Sequence, residues 1–347
     1  MATARKSNPV WTAIKLATGL IVLAALAILA LAVFPMSPRS TPELAFERFI
    51  SLPGHGYLNV MDYVSIDGPR LFVTGESSGS VYKVDLTDAS KPVVSELTGK
   101  PNAHGVATDS KGIAFVTRSE ADTVDAFDPT GLTKLASISV QPDADAILYD
   151  PAVNLIYVAN GDPKSATLID PDKRIVVGTI ALGGKPEFPA LNGKTGLVYQ
   201  NLNDTNEVAL VDVAARSVVG RWSLAPCRGP TGLVFDAANQ RLIAVCSKNA
   251  RMVVFALDRH KVVATLPVGG GPDAVALDPT NRRVYVAGKD GKLTIVQQYG
   301  ADNYRVLDNI DLHYGAHTLA VDPATHKVYV AYASLLIGPR LAVFQAR

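Results

Sequence analysis

The sequence predicts an all-β fold: a seven-bladed β-propeller whose N-terminal strand closes the last blade, preceded by one N-terminal transmembrane helix. Three observations carry that expectation. After residue 45, apolar residues show no sustained 3.6-residue period, so long amphipathic helices are excluded. Two short apolar strands flanking an Asp or Asn turn recur seven times along the chain. Finally, one strand-like segment stands alone before the first repeat, while the seventh repeat ends before its fourth strand.

The chain has 347 residues, of which 48% are hydrophobic and 19% charged, enough apolar surface for a large core. Its first 44 residues differ from the rest. Arg5, Lys6 and Lys15 precede an uncharged run from Ala17 to Phe34, and Pro35, Ser37, Pro38, Ser40 and Pro42 follow it. As a helix, eighteen residues span about 27 Å, close to the thickness of a bilayer's hydrocarbon core. Positive charge before the run orients it with the N-terminus inside and the body outside. The expected layout is a cytoplasmic tip and membrane anchor at 1–34, a Pro/Ser linker at 35–44 and the propeller at 45–347. The chain would then be a single-pass protein of the cytoplasmic membrane, with the propeller in the periplasm or extracellular space. A cleaved signal peptide is the rival reading, with Ala30-Leu31-Ala32 as its small-residue site, although that site lies inside the run.

The repeats begin at 62, 104, 145, 187, 231, 273 and 317, and read, for example, DAILYDPAVNLIYVAN (145–160) and DAVALDPTNRRVYVAG (273–288). Taking Val73, Val116, Val158, Tyr199, Ala244, Val286 and Val330 as equivalent gives steps of 41 to 45 residues. That period suits one four-stranded blade. Third strands are expected at Ser80–Val84, Ala166–Asp170, Val208–Asp212 and Leu293–Gln297, and fourth strands at Ile175–Leu182 and Val262–Val268. Asp-Pro pairs at 150–151, 278–279 and 322–323 supply turns, and Gly183-Gly184 and Gly269-Gly270-Gly271 ease the step between blades. The seventh unit reaches only its third strand, Arg340–Gln345. The orphan segment Ala45–Leu52, followed by Pro53-Gly54, is expected to complete that blade and remove the open edge of the ring.

Cys227 and Cys246 enclose 18 residues that read as one hairpin. A disulfide across such a loop contributes on the order of 3 kcal/mol in the chain-entropy model and fits an exported protein. Two separate buried thiols are the alternative.

Beyond the periodicity, residues 45–347 resemble the YVTN-type, YncE-like seven-bladed propellers of exported bacterial proteins. The resemblance rests on DAILYDP (145–151), GGKPEF (183–188), LAPCRGPTGLVFD (224–236), VVATLPVGGGPDAVALDP (262–279) and AVDPATHKVYV (320–330). It implies the WD40-like propeller fold and no single activity. Where relatives often carry Arg in the first strand of the last blade, this chain has His317.

Aligning the repeats on the residue that ends the first strand (Asp67, Asp109, Asp150, Asn192, Asp236, Asp278, Asp322) yields a polar column five residues earlier. It consists of Asp62, His104, Asp145, Glu187, Thr231, Asp273 and His317. The first strand of each propeller blade lines the central channel, so these residues are expected to ring one mouth of it. Two imidazoles among carboxylates suit a divalent ion such as Zn²⁺ or Mn²⁺, and His104, His317 and Asp62 form the expected metal trio. They also suit acid–base work. Equally, polar side chains at a wet entrance satisfy strand-start amides without any function. The loops between second and third strands should open on the same face. There Arg118, Arg228, Lys248 and Arg251 are candidates to anchor a carboxylate or phosphate.

A net charge of +1 without a basic stripe argues against nucleic acid. No Ser-His-Asp spacing, Walker loop, CxxC or haem motif is present, and GGG at 269–271 is an interblade turn with no helix after it. The expected function is a binding module, for a small molecule or a protein, acting through the polar mouth. A metal-assisted hydrolase, lactonase or lyase at the same ring is the alternative. No partner subunit is legible, and a monomer is expected.

Overall fold

The computed structural model describes residues 17–24, 38–54, 60–99, 102–333 and 338–347. Seven four-stranded antiparallel sheets make up the body. Blade 1 spans residues 61–97, blade 2 103–139, blade 3 144–181, blade 4 186–223, blade 5 230–267 and blade 6 272–311. Blade 7 takes Thr318–Asp322, Lys327–Tyr332 and Arg340–Ala346, with Leu44–Ser51 as its outermost strand. The expected closure is therefore observed, one residue earlier than the sequence indicated. Leu44 pairs with Ala346 and Ser51 with Arg340.

The innermost strands are Met61–Asp67, Ala103–Thr108, Ala144–Asp150, Pro186–Asn192, Pro230–Asp236, Pro272–Asp278 and Thr318–Asp322. Each touches the innermost strand of the blade before and after it, and the first touches the last, so the ring is complete. The core lies between blades. Phe115 and Val124 of blade 2 pack on Ile156 and Val158 of blade 3. Across the closure, Leu71 and Val73 of blade 1 pack on Ile50, Leu341 and Val343 of blade 7.

The Asp and Asn residues that mark the repeats act as turn acceptors. Asp109 accepts from the Lys111 and Ile113 amides at 2.9 and 2.8 Å, Asp150 from Ala152 at 2.9 Å and Asp322 from Ala324 at 2.9 Å. Such side chains mimic a backbone turn, which explains why the residue type recurs when its neighbours vary.

Cys227 and Cys246 form a disulfide with Cα atoms 5.3 Å apart. The bond does not join two strands: Cys227 lies in the linker before Pro230–Asp236, and Cys246 ends the next strand, opposite Pro230. It ties the interblade linker to blade 5.

Of the expected membrane segment, residues 17–24 are helical, with Leu20, Ile21 and Leu23 more than 60% exposed. Eight residues cover about 12 Å, and among the described residues no helix is long and apolar enough to cross a membrane. Residues 25–34 of the apolar run and the basic tip lie outside the described residues. The linker is partly ordered against the body: Arg39 pairs with Asp308 of blade 6 at 2.5 Å, and the Thr41 hydroxyl accepts from the Leu44 amide at 3.0 Å.

Candidate functional site

In blades 1 to 6 the polar column occupies the second residue of each innermost strand. At that point the pairing with the next strand slips, between Met61 and Val64, Ala103 and Val106, Ala144 and Ile147, Pro186 and Pro189, Pro230 and Leu233, and Pro272 and Ala274. Such bulges bend a strand and re-aim a side chain. Here they free the column residues from the blade faces. Neighbouring blades run close at this level: a Cβ on Gly232 would stand 2.5 Å from the Asp273 carbonyl, so only glycine fits.

A cavity of about 340 Å³ results. Asp62, His104, Asp145, Glu187, Thr231 and Asp273 line it, joined by Glu76, Asn203, Lys248 and Lys289 from the loops above. Tyr63 and Phe188, each one residue past a column position, stack with centroids 4.7 Å apart. The equivalent places in the other blades hold Gly105, Ala146, Gly232, Ala274 and Thr318. Blades 1 and 4 stand across the ring from each other, so this aromatic pair bridges the channel beside the polar ring. The sequence reading missed it, although two rings in a column of small residues are the visible signal.

Three column residues from consecutive blades converge. His104 donates from Nδ1 to Asp62 Oδ2 at 2.5 Å, and the same nitrogen lies 3.5 Å from Asp145 Oδ1. Its Nε2 meets Ser119 Oγ at 2.9 Å. The Tyr63 hydroxyl donates to Asp145 Oδ1 at 3.2 Å. One ligand atom from each of Asp62, His104 and Asp145 falls within 4.8 Å of the others. The expected trio thus changes membership, with Asp145 taking the place of His317. His317 turns aside because its Nδ1 donates to the Gly315 carbonyl at 2.7 Å, which leaves Nε2 3.6 Å from Asp273.

The other expected site residues divide. Glu187 and Asp273 face the cavity, Asp273 with Lys289 Nζ 3.3 Å away. Thr231 reaches it but spends its hydroxyl on the Pro272 carbonyl at 3.0 Å, a latch between blades 5 and 6. Arg118 does not reach the mouth. It is buried at 2% exposure beside a separate cavity between blades 1 and 2, where it donates to the Gly79 carbonyl and lies 3.4 Å from Asp125. Arg228 is exposed in the linker next to Cys227 and does not line the mouth cavity.

Burial and mutual repulsion set the charge of the mouth. Burial, then the charge of Asp62, pushes Asp145 up to about 7. Burial, then Asp145 and Asp273, pushes Glu187 up to about 8. For His104 burial opposes protonation, but the bond and charge of Asp62, with Asp145 and Glu76, outweigh it and raise the imidazole to about 9. At neutral pH these shifts favour an imidazolium at His104 and a neutral acid at Glu187, and they hold a proton on Asp145 far above the usual carboxylate range.

The three ligand atoms lie close enough together to converge on one ion. Two ligands each about 2.1 Å from one ion stand about 3.0–3.4 Å apart, and the His104–carboxylate separations of 2.5 and 3.5 Å bracket that spacing. Loss of the Nδ1 proton would free the lone pair that faces both carboxylates. The Nε2–H···Ser119 bond would hold the ring in that tautomer.

No family model and no curated protein matches the chain. Among solved structures it is similar to a chain of the mitotic checkpoint complex (16% identity over 90% of this chain and 95% of that one, TM-score 0.71). It is also similar to the WD40 β-propeller domain of Doa1 (13%, 87% and 96%, TM-score 0.70). A third similar structure is virginiamycin B lyase from Staphylococcus aureus (11%, 87% and 99%, TM-score 0.71). At these identities the likeness is one of fold. It establishes the β-propeller fold and assigns neither chemistry nor role.

Proposed function

We propose that this chain is a membrane-anchored extracytoplasmic binding module whose channel mouth takes its ligand through a divalent cation held by Asp62, His104 and Asp145. The observation that carries the reading is the convergence of these three side chains from blades 1, 2 and 3 inside a cavity. One imidazole and two carboxylates suit Zn²⁺ or Mn²⁺. The location rests on the Arg/Lys-flanked apolar run before residue 35 and agrees with the Cys227–Cys246 bond, which persists in oxidising compartments. The motif resemblance to YVTN-type exported propellers points the same way.

The test is calorimetric titration of Mn²⁺ and Zn²⁺ into the metal-free protein between pH 6 and 9. Binding must displace the proton of His104 and the fraction still on Asp145. Affinity should therefore rise steeply up to pH 7, then by about tenfold per unit until pH 9. His104→Ala should remove binding, with melting curves confirming that the variant is folded. Binding that ignores both pH and His104 would end the proposal.

A second reading, metal-assisted hydrolysis or elimination on an ester or lactone, is favoured by one feature. Glu187, held up to about 8, keeps a transferable proton beside the trio at neutral pH. Turnover of such a substrate, lost in Glu187→Gln while metal binding persists, would establish it.

A further inference from the structure

The mouth is not uniformly acidic. The trio occupies blades 1 to 3, while Lys248 and Lys289 enter the same cavity from the loops of blades 5 and 6. In a seven-membered ring half a turn is three and a half steps, so the junction of blades 5 and 6 stands opposite blade 2, which carries His104. Lys248 has a neutral partner, whereas Lys289 pairs with Asp273 and also feels the charges of Asp62 and Glu187 across the mouth. Lys248 donates to the Asn203 amide oxygen at 3.1 Å, and Lys289 lies 3.3 Å from Asp273. Thr231 and Ser247 add no charge to that side.

From this polarity we infer that the ligand of the mouth carries an oxyanion, a carboxylate or phosphate group, which bridges the cation on blades 1 to 3 and the two lysines on blades 5 and 6. The inference rests on the cation reading above and extends it to the class of ligand. The physical case is charge complementarity across one cavity. An ion held by Asp62, His104 and Asp145 alone would have room for a further ligand from the cavity, and an oxyanion would supply it. The lysines compensate the charge that remains, and ammonium groups suit phosphate and carboxylate as point charges. A cavity of about 340 Å³ admits a small molecule with one such group and excludes a folded chain. The stack of Tyr63 on Phe188 sets an apolar surface beside the polar ring, so the ligand's body can be apolar where its head is charged.

The experiment titrates inorganic phosphate and, in a parallel arm, oxalate into the full chain with and without saturating Mn²⁺, and repeats both in Lys248→Gln/Lys289→Gln. Melting curves confirm that the variant is folded; both side chains are solvent-exposed and contribute little to the core. The expected result is anion binding that Mn²⁺ strengthens at least about tenfold and that the double variant weakens by about tenfold or more, as for charge-assisted hydrogen bonds. Mn²⁺ affinity measured alone should change less than about threefold. The tighter arm identifies phosphate or carboxylate as the native head group. Anion binding in neither arm, or binding that is equal in the variant, overturns the inference while leaving the cation site standing. Failure of Mn²⁺ itself to bind overturns both.

Discussion

At the scale of the residue, His104 and Glu187 both make the stability of the mouth fall as pH rises. His104 has a folded pKa of about 9 against an ordinary 6.5. It contributes stability that is complete below 6.5 and lost as pH rises through 9. Glu187 binds its proton up to about 8 against an ordinary 4.5, so the folded state holds a proton that the unfolded chain releases, and stability falls as pH rises from about 4.5 to 8. Both effects weaken the chain together between about pH 6.5 and 8. Glu187→Gln removes the acid whose ionisation is opposed by burial, Asp145 and Asp273. We therefore expect this variant to exceed the parent in unfolding free energy at pH 9 by about 1–3 kcal/mol, and by much less at pH 5. Chemical denaturation at the two pH values checks this. An equal effect at both would show that Glu187 is solvated and unstrained.

Among the elements, the strand Leu44–Ser51 decides whether the ring closes. It covers Arg340–Ala346, and Leu44, Ile50 and the following Leu52 are buried against blades 6, 7 and 1. Full burial of each such side chain is worth about 1.5–3 kcal/mol, and its loss also bares a strand edge. Removing residues 1–37 should leave the melting temperature within about 2 °C, whereas removing 1–52 should give a protein that aggregates or melts more than about 10 °C lower. Equal melting of the two truncations would refute the closure. That strand was legible in the sequence because the repeats left one strand over before the first blade and one missing from the last. The disulfide was legible only as a pair, since the spacing of Cys227 and Cys246 suggested two strands and the linker position of Cys227 has no signature of its own. The bulges were not legible at all. A slip of pairing at Asp62, His104 or Asp145 depends on how close the next blade runs, which no local pattern encodes. For the same reason the sequence found the polar ring yet placed His317 in the trio. Which ring members meet is settled by Gly315, whose carbonyl takes the His317 proton, and by the two-faced contact of His104 with blades 1 and 3.

For the whole molecule, seven equivalent strand starts bring seven polar residues to one end of a channel, and the departures from sevenfold repetition give that end its character. Carboxylates and His104 gather on blades 1 to 3, Tyr63 stacks on Phe188 across the channel, and Lys248 and Lys289 face the trio from blades 5 and 6. The fold itself is shared with proteins of unrelated names and specifies none of this. The account stands or falls on the cation. Crystals grown at pH 8 and soaked in Mn²⁺ should show one strong anomalous peak about 2.1–2.3 Å from His104 Nδ1 and from carboxylate oxygens of Asp62 and Asp145. The imidazole should keep its bond to Ser119. A soaked crystal with His104 still bonded to Asp62 and no anomalous density in the mouth would contradict it.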